Sequence, residues 1–228
     1  GNGERALLKL KTLQRLESGW LVELEGRKVE TRMLGDHNVS NLAAALTVAA
    51  ILGYDMSDLL SVAGSLAMPK GRMQVVSCGP VLGIVDFAHT PDALKVTLGA
   101  VRQMRPDGQI IIVGGCGGNR DRRKRPEMGR SFSDANRAVL TSDNPRNEDP
   151  RAIIDEILLG VPEDRAPCVS IEIDRKAAIE RGVSLARAGD VVVVTGKGHE
   201  AKQEISGASI PFDDSVELSA ALINRGRL

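Results

Sequence analysis

Apolar and polar residues alternate with one rhythm up to about residue 70 and with another beyond it. Between residues 6 and 34 the apolar positions come in short runs: Leu7, Leu8 and Leu10, then Trp20 to Leu24, then Val29 to Leu34 after the turn Glu25-Gly26-Arg27. A period of two marks half-buried strands, so antiparallel ribbons are expected here. Leu42 to Leu52 is rich in Ala and Leu and predicts a helix, with Asn38 or Ser40 as its N-terminal cap and Gly53 as the left-handed residue that closes it. A second helix is expected from Ser57 to Leu66. Met68-Pro69-Lys70-Gly71-Arg72 then breaks the periodicity with Pro and Gly. A boundary at this point divides the chain into a small α+β unit, 1–72, and a larger one, 73–228.

In the larger part, short apolar runs alternate with amphipathic stretches. Val81 to Phe87, Gln109 to Val113, Ala138 to Thr141, Cys168 to Ile173 and Asp190 to Thr195 read as strands. Pro91 to Met104, Pro126 to Ala135 and Pro150 to Leu159 read as helices opened by Pro, which suits a first helical position because no N–H is needed there. Thr90 can cap the first of them, and Arg175 to Ala188 reads as a fourth helix. A ribbon, Gln203 to Ile205 with Ser209 to Phe212, and a last helix, Ser215 to Asn224, follow. Strand and helix in alternation imply crossover connections, and hence an α/β fold with a mostly parallel sheet covered by helices on both faces.

Composition narrows the function classes. Apolar residues make up 42% and charged residues 26%, and no apolar run reaches the roughly 20 residues needed to span a bilayer. Thirty basic and thirty acidic side chains cancel, so any attraction for an anion must be local. One Trp, one Tyr and three Phe leave little for base stacking, which argues against a nucleic-acid partner. Cys78, Cys116 and Cys168 are odd in number and far apart, as neither a disulfide framework nor a zinc site would have them. No signal peptide is visible at the N-terminus, and a cytoplasmic location is expected.

Ligands of a parallel sheet sit beyond the carboxyl ends of its strands, where the strand-to-helix loops gather. Here those loops are dense in polar residues: Asp86-Phe87-Ala88-His89-Thr90-Pro91-Asp92, Gly114-Gly115-Cys116-Gly117-Gly118-Asn119-Arg120-Asp121, Asp143-Asn144-Pro145-Arg146 and Gly196-Lys197-Gly198-His199-Glu200. The second is no dinucleotide fingerprint, since the sixth position from Gly115 is Arg120. The run Arg120, Arg122, Arg123, Lys124 and Arg125 reads as anion handling at the rim. Arg146 can grip a carboxylate while Asp143 accepts from an ammonium, so the third loop suits a zwitterionic amino acid, although a turn with a capping Asn147 or Asp149 explains it equally. Glu200 offers a second carboxylate. His37, His89 and His199 lack metal-ligand spacing.

These loops, together with Asn38-Val39-Ser40-Asn41, Gly71-Arg72-Met73 and Lys124-Arg125-Pro126, occur in an order that resembles the MurE branch of the Mur ligases, from residue 35 onward. The resemblance implies addition of a third amino acid to UDP-N-acetylmuramoyl-L-alanyl-D-glutamate, with ATP converted to ADP and phosphate through an acyl phosphate. It implies a Rossmann-like C-terminal, amino-acid-binding domain over 73–228 and the tail of a central ATPase domain over 1–72. Carried over by position, Arg120, Asp143, Asn144, Pro145, Arg146, Gly196 and Glu200 hold meso-diaminopimelate, with Arg146 choosing it over lysine because a buried, unpaired guanidinium would disfavour the latter. Asn38, Asn41, Arg72, Asp86 and His89 lie near the nucleotide; no catalytic residue and no metal ligand carries over.

The chain departs from the family in having no G-x-x-x-x-G-K-[ST] stretch. ATP, Mg2+ and the UDP-MurNAc-dipeptide are therefore expected only in the complete enzyme, and the chain alone is not expected to catalyse phosphoryl transfer. Two other readings stay open: a related ligase adding D-Glu, lysine or a folate glutamate tail, and a non-catalytic binding module.

Overall fold

The computed structural model of the chain describes residues 8–16 and 19–226, so that Leu7 of the first expected ribbon lies outside the described residues. The chain divides into two compact units, Gly1–Pro69 and Lys70–Leu228.

In the first unit β1 (Leu10–Leu16), β2 (Gly19–Leu24) and β3 (Arg27–Thr31) form an antiparallel meander. Helices α1 (Asp36–Ile51) and α2 (Met56–Ala63) follow. Val22 and Leu24 from the sheet, Val39, Leu42 and Leu46 from α1, and Leu59 and Leu60 from α2 share one core. Helix α1 starts earlier than its apolar run suggested. Gly35 is its N-cap at φ +80°, and the two expected caps lie within the first turns. Their side chains bond backward: Asn38 Nδ2 donates to the Leu34 carbonyl at 2.8 Å and Ser40 Oγ to the Asp36 carbonyl at 3.1 Å. Such bonds serve carbonyls rather than the free N–H groups a cap would satisfy. At the other end the prediction holds, with Gly53 N–H on Ala50 O and Tyr54 N–H on Ala49 O closing the helix.

The second unit is built on six strands in the order β4-β5-β9-β6-β7-β8. They are β4 (Gln74–Cys78), β5 (Leu82–Asp86), β6 (Ile110–Gly114), β7 (Arg137–Leu140), β8 (Val169–Ile171) and β9 (Val191–Thr195). Only β4 runs antiparallel to its neighbour. All five residues of β5, β6 and β9 are buried, as expected of central parallel strands covered on both faces. Val85, Ile111, Val113, Val192 and Val194 meet α6 (Arg175–Leu185) and α7 (Asp214–Arg225). Alternation turns Ile84, Ile112 and Val193 to the other face, where α3 (Pro91–Met104) lies on β6, α4 (Lys124–Phe132) on α3, and α5 (Pro150–Leu158) on α4. The α/β class with a mostly parallel, doubly covered sheet is thus the observed one.

Three local expectations change. Helix α4 opens at Lys124, so Pro126 is its third residue, a position whose missing N–H has no acceptor within the helix. Strand β8 is reduced to three residues behind the 3-10 turn Glu163–Cys168. Strand β4 was not expected; it is an edge strand with an irregular register between Val75 and Ser77. A hairpin of β10 (Lys202–Ile205) and β11 (Ala208–Pro211) leaves β9 and leads to α7.

Candidate functional site

The carboxyl ends of β5, β6, β7 and β9 share one edge of the sheet, and their loops enclose a cleft of about 290 Å³. Arg120, Asp143, Asn144, Arg146, Gly196 and Glu200 line it, and His89 joins them. Pro145 is not among the lining residues; its carbonyl accepts from Glu148 N–H at 3.0 Å. The cleft is walled by two loops joined to each other: Gly118 N–H donates to Asn144 O at 2.9 Å, and Arg146 Nη1 donates to Gly118 O at 2.9 Å.

Asp143 is buried, with 8% of its surface left exposed. No hydrogen bond reaches its carboxylate from the described residues, although it faces the cleft. Burial pushes its carboxyl above the ordinary range, against the pull of the Arg175 and Lys197 charges. The carboxylate comes this close to the β9 loop because residue 196 is glycine at φ +108°, where a Cβ would collide with Asp143 Oδ2.

Lys197 is fully buried and had no role assigned from the sequence. Its ammonium donates to Asn144 Oδ1 at 2.9 Å, to Glu200 Oε2 at 3.0 Å and to the Lys202 carbonyl at 2.6 Å, which uses all three protons. With Oδ1 of Asn144 so engaged, its Nδ2 donates to Glu200 Oε2 at 2.8 Å. Burial disfavours ionisation of Glu200, but the bonds from Asn144 and Lys197 outweigh it and hold the carboxyl below its usual range. Flanking Gly residues and a lysine between apolar strand and polar loop were the only sequence signal for this network.

Arg146 sits at φ +52° and is partly exposed. Its Nε pairs with Glu204 Oε2 at 2.9 Å. The expectation of an unpaired guanidinium is therefore corrected: Arg146 already has a carboxylate and two carbonyls of the protein, Gly118 O and Asn144 O. The reading of the neighbouring basic run as anion handling also narrows. Arg125 is buried between Glu148 and Glu156, Arg122 pairs with Glu156 and Arg123 with Asp121. Glu156 on α5 and Glu148 in its preceding loop consume the charges of Arg122 and Arg125. Arg120 and Lys124 alone of the run line the cleft, Lys124 with its ammonium on the His89 carbonyl at 3.1 Å.

The residues expected near a nucleotide divide. Asn38, bonded to Leu34, and Asn41, whose Nδ2 donates to Asn38 Oδ1 at 3.3 Å, belong to the first unit. Asp86 spends its carboxylate on protein: Oδ1 accepts from Ala88 N–H at 3.0 Å and Thr97 Oγ1 at 2.8 Å, and Oδ2 from Met73 N–H at 2.8 Å. Its structural effect is to fix the β5 loop. Exposed Arg72 lies over the Phe87 ring at 4.6 Å, and the His89 ring packs edge-on against the same phenyl at 4.7 Å. Cys116 lines the cleft but is inert, its thiol pushed up to about 12 chiefly by burial.

Fold and cleft together define an α/β domain with a small, charge-lined cleft at the carboxyl edge of its sheet. The chain belongs to the Mur ligases: residues 71–198 match the family model "Mur ligase, glutamate ligase domain". It is 42% identical over 221 residues to the UDP-N-acetylmuramoyl-L-alanyl-D-glutamate--2,6-diaminopimelate ligase of Cytophaga hutchinsonii, covering 95% of this chain and 44% of that protein. It is 45% identical over 195 residues to the protein of the same name from Chlamydia muridarum, covering 85% and 40%. A solved structure of a ligase of that name superimposes with a TM-score of 0.69 at 39% identity, covering 98% of this chain and 47% of the other. The chain thus spans less than half the length of these relatives.

Proposed function

We propose that this chain is the amino-acid-binding portion of an ATP-dependent ligase that joins meso-diaminopimelate to UDP-N-acetylmuramoyl-L-alanyl-D-glutamate. In this reading 73–228 is the C-terminal domain and 1–72 the tail of a central ATPase domain. The observation that carries it is Asp143: a buried residue whose carboxylate has no hydrogen bond from the described residues and which lines a cleft that also holds Glu200 and, opposite in charge, Arg120 and Arg146. Two acceptors for an ammonium and two guanidinium donors for carboxylates match the two ends of a diamino dicarboxylic acid. The names of the relatives support the same amino acid.

The chain's residues bind and orient the amino acid so that one amine can attack the activated acyl group. Asp143 and Glu200 hold an ammonium, Lys197 keeps Asn144 and Glu200 in register, and Arg146 meets the distal carboxylate. ATP supplies the activation, and Arg72 and His89 beside Phe87 are the exposed groups suited to flank a nucleotide. Among the described residues no cluster of His, Cys, Asp or Glu has the make-up of a metal site, so no step is assigned to Mg2+ here. No helix among the described residues is long and apolar enough to cross a membrane.

The test is competition between meso-diaminopimelate and L-lysine in the intact ligase carrying this chain. Asp143→Asn is expected to raise the KM of meso-diaminopimelate at least about tenfold, the loss of one charge-assisted bond. Arg146→Ala is expected to reduce the preference over lysine by a similar factor; an unchanged preference would remove the assignment of Arg146 to the distal carboxylate.

A further inference from the structure

We propose that Glu204 fixes which edge of the Arg146 guanidinium faces the cleft and so helps to select an amino acid with a second carboxylate. This rests on the amino-acid-binding reading of the cleft and extends it to the β10–β11 hairpin, which supplies no residue to the cleft wall itself.

The hairpin and the Asp143–Arg146 loop are bonded at four points. Arg146 N–H donates to the Glu204 carbonyl at 2.9 Å, and Ser206 N–H donates to the Arg146 carbonyl at 2.6 Å. Glu204 N–H donates to Asn144 Oδ1 at 3.0 Å, and Gln203 Nε2 donates to the Asp143 carbonyl at 2.7 Å. These bonds hold Arg146 in the left-handed region, at φ +52°, which a non-glycine residue adopts only when its surroundings impose it. One residue, Glu204, therefore grips Arg146 twice, by its carbonyl at the backbone and by its carboxylate at Nε.

A guanidinium offers a carboxylate two forks, Nε with Nη2 or Nη1 with Nη2. Glu204 Oε2 stands 2.9 Å from Nε as an ion pair, and its negative charge closes the first fork to a second carboxylate. The carbonyls of Gly118 and Asn144 engage Nη1 at 2.9 Å and 3.4 Å. Nη2 donates no hydrogen bond among the described residues, which leaves it for a ligand carboxylate. The pair is also neutral before a ligand arrives. Lysine thus meets no unpaired guanidinium, and selectivity must come from what meso-diaminopimelate gains at Nη2. That gain depends on where Nη2 points, and Glu204 sets it.

The geometry separates orientation from charge, because glutamine keeps the side chain's length and an oxygen beside Nε while removing the negative charge. Steady-state kinetics of the intact ligase with meso-diaminopimelate and L-lysine would compare Glu204→Gln and Glu204→Ala with the unaltered enzyme. Glu204→Ala is expected to raise the KM of meso-diaminopimelate by about tenfold, with kcat, the KM of lysine and that of the UDP-linked dipeptide within about threefold of the unaltered values. Glu204→Gln is expected to restore most of the preference. An unchanged preference in Glu204→Ala, an equal loss for both amino acids, or a glutamine variant as poor as alanine would each overturn the role of Glu204. Failure of the underlying reading shows elsewhere: the unaltered enzyme would itself accept neither amino acid or show no preference, and the inference would fall with it.

Discussion

Arg125 is buried, and two glutamates make that tolerable. Glu148 takes Nη1 and Nη2 on its two oxygens at 2.9 Å each, and Glu156 accepts from Nη1 at 2.9 Å. The bonds from Arg125, then that from the Asn119 N–H, outweigh burial and hold the Glu148 carboxyl down to about 2, against an ordinary 4.5. A depressed carboxyl contributes stability that is complete above its unfolded-state value and is lost as pH falls through its folded value. Glu148→Gln should therefore unfold at lower urea concentration than the unaltered chain at about pH 7, and the difference should shrink steadily between about pH 4.5 and about pH 2. A constant difference across that window would show that the Arg125 pair contributes nothing through charge. At this scale the sequence exposed the polar loops but not the pairing within them. Asp143, Arg146 and Glu200 stood out as residue types. That Arg122 and Arg125 would be neutralised by Glu148 and Glu156 depends on α5 lying against α4, which no local spacing encodes. Lys197 and Glu204 were missed for a related reason, since each acts through a neighbour rather than on the cleft directly.

Helices α6 and α7 are locked to the sheet by one ion pair buried on both sides. Arg175, the first residue of α6, donates from Nε to Asp214 Oδ1 at 2.8 Å and from Nη2 to Oδ2 at 2.7 Å, Asp214 being the first residue of α7. The same guanidinium donates to the Ser142 carbonyl at 3.1 Å and the Thr195 carbonyl at 2.8 Å, at the carboxyl ends of β7 and β9. Removing one partner leaves an uncompensated buried charge and two unserved carbonyls. Arg175→Ala should cost about 3–5 kcal/mol by urea unfolding, whereas Arg175→Met combined with Asp214→Leu should recover most of it. A loss below about 1 kcal/mol in the single variant would mean that water replaces the guanidinium. The elements themselves were legible where one period ran long enough. Helix α3, with its Thr90 cap on Ala93 N–H and Pro91 at the first position, matches expectation at both ends. The ends that moved are the start of α1, which a glycine N-cap opens ahead of the apolar run, and elements too short to show a period, such as β4 and β8.

The order of strands was the least legible feature of the molecule. Alternating strands and helices imply a parallel sheet, but nothing local says that β9, the last parallel strand to be made, inserts between β5 and β6. That insertion brings the Gly196–Glu200 loop beside the Asp143–Arg146 loop, and so it creates the acidic side of the cleft. The consequence for stability is that the cleft cannot exist before the sheet is complete, because β9 pairs with β5 over Val191–Thr195 and with β6 over Val191–Val194. The second unit holds all of these strands, the core that α6 and α7 build on them, and every bond described for Asp143, Asn144, Arg146 and Lys197. Residues 70–228 prepared alone should therefore unfold in a single cooperative transition, with far-ultraviolet circular dichroism and backbone amide NMR signals giving coincident curves. In that piece the amides of Gly118, Arg146 and Glu204, whose hydrogen bonds join the cleft loops, should exchange with solvent only as the whole unit opens. Exchange of these three far faster than that of the Val191–Thr195 strand would mean that the cleft loops open separately from the sheet, and that the walls of the cleft are not set by the fold of this unit alone.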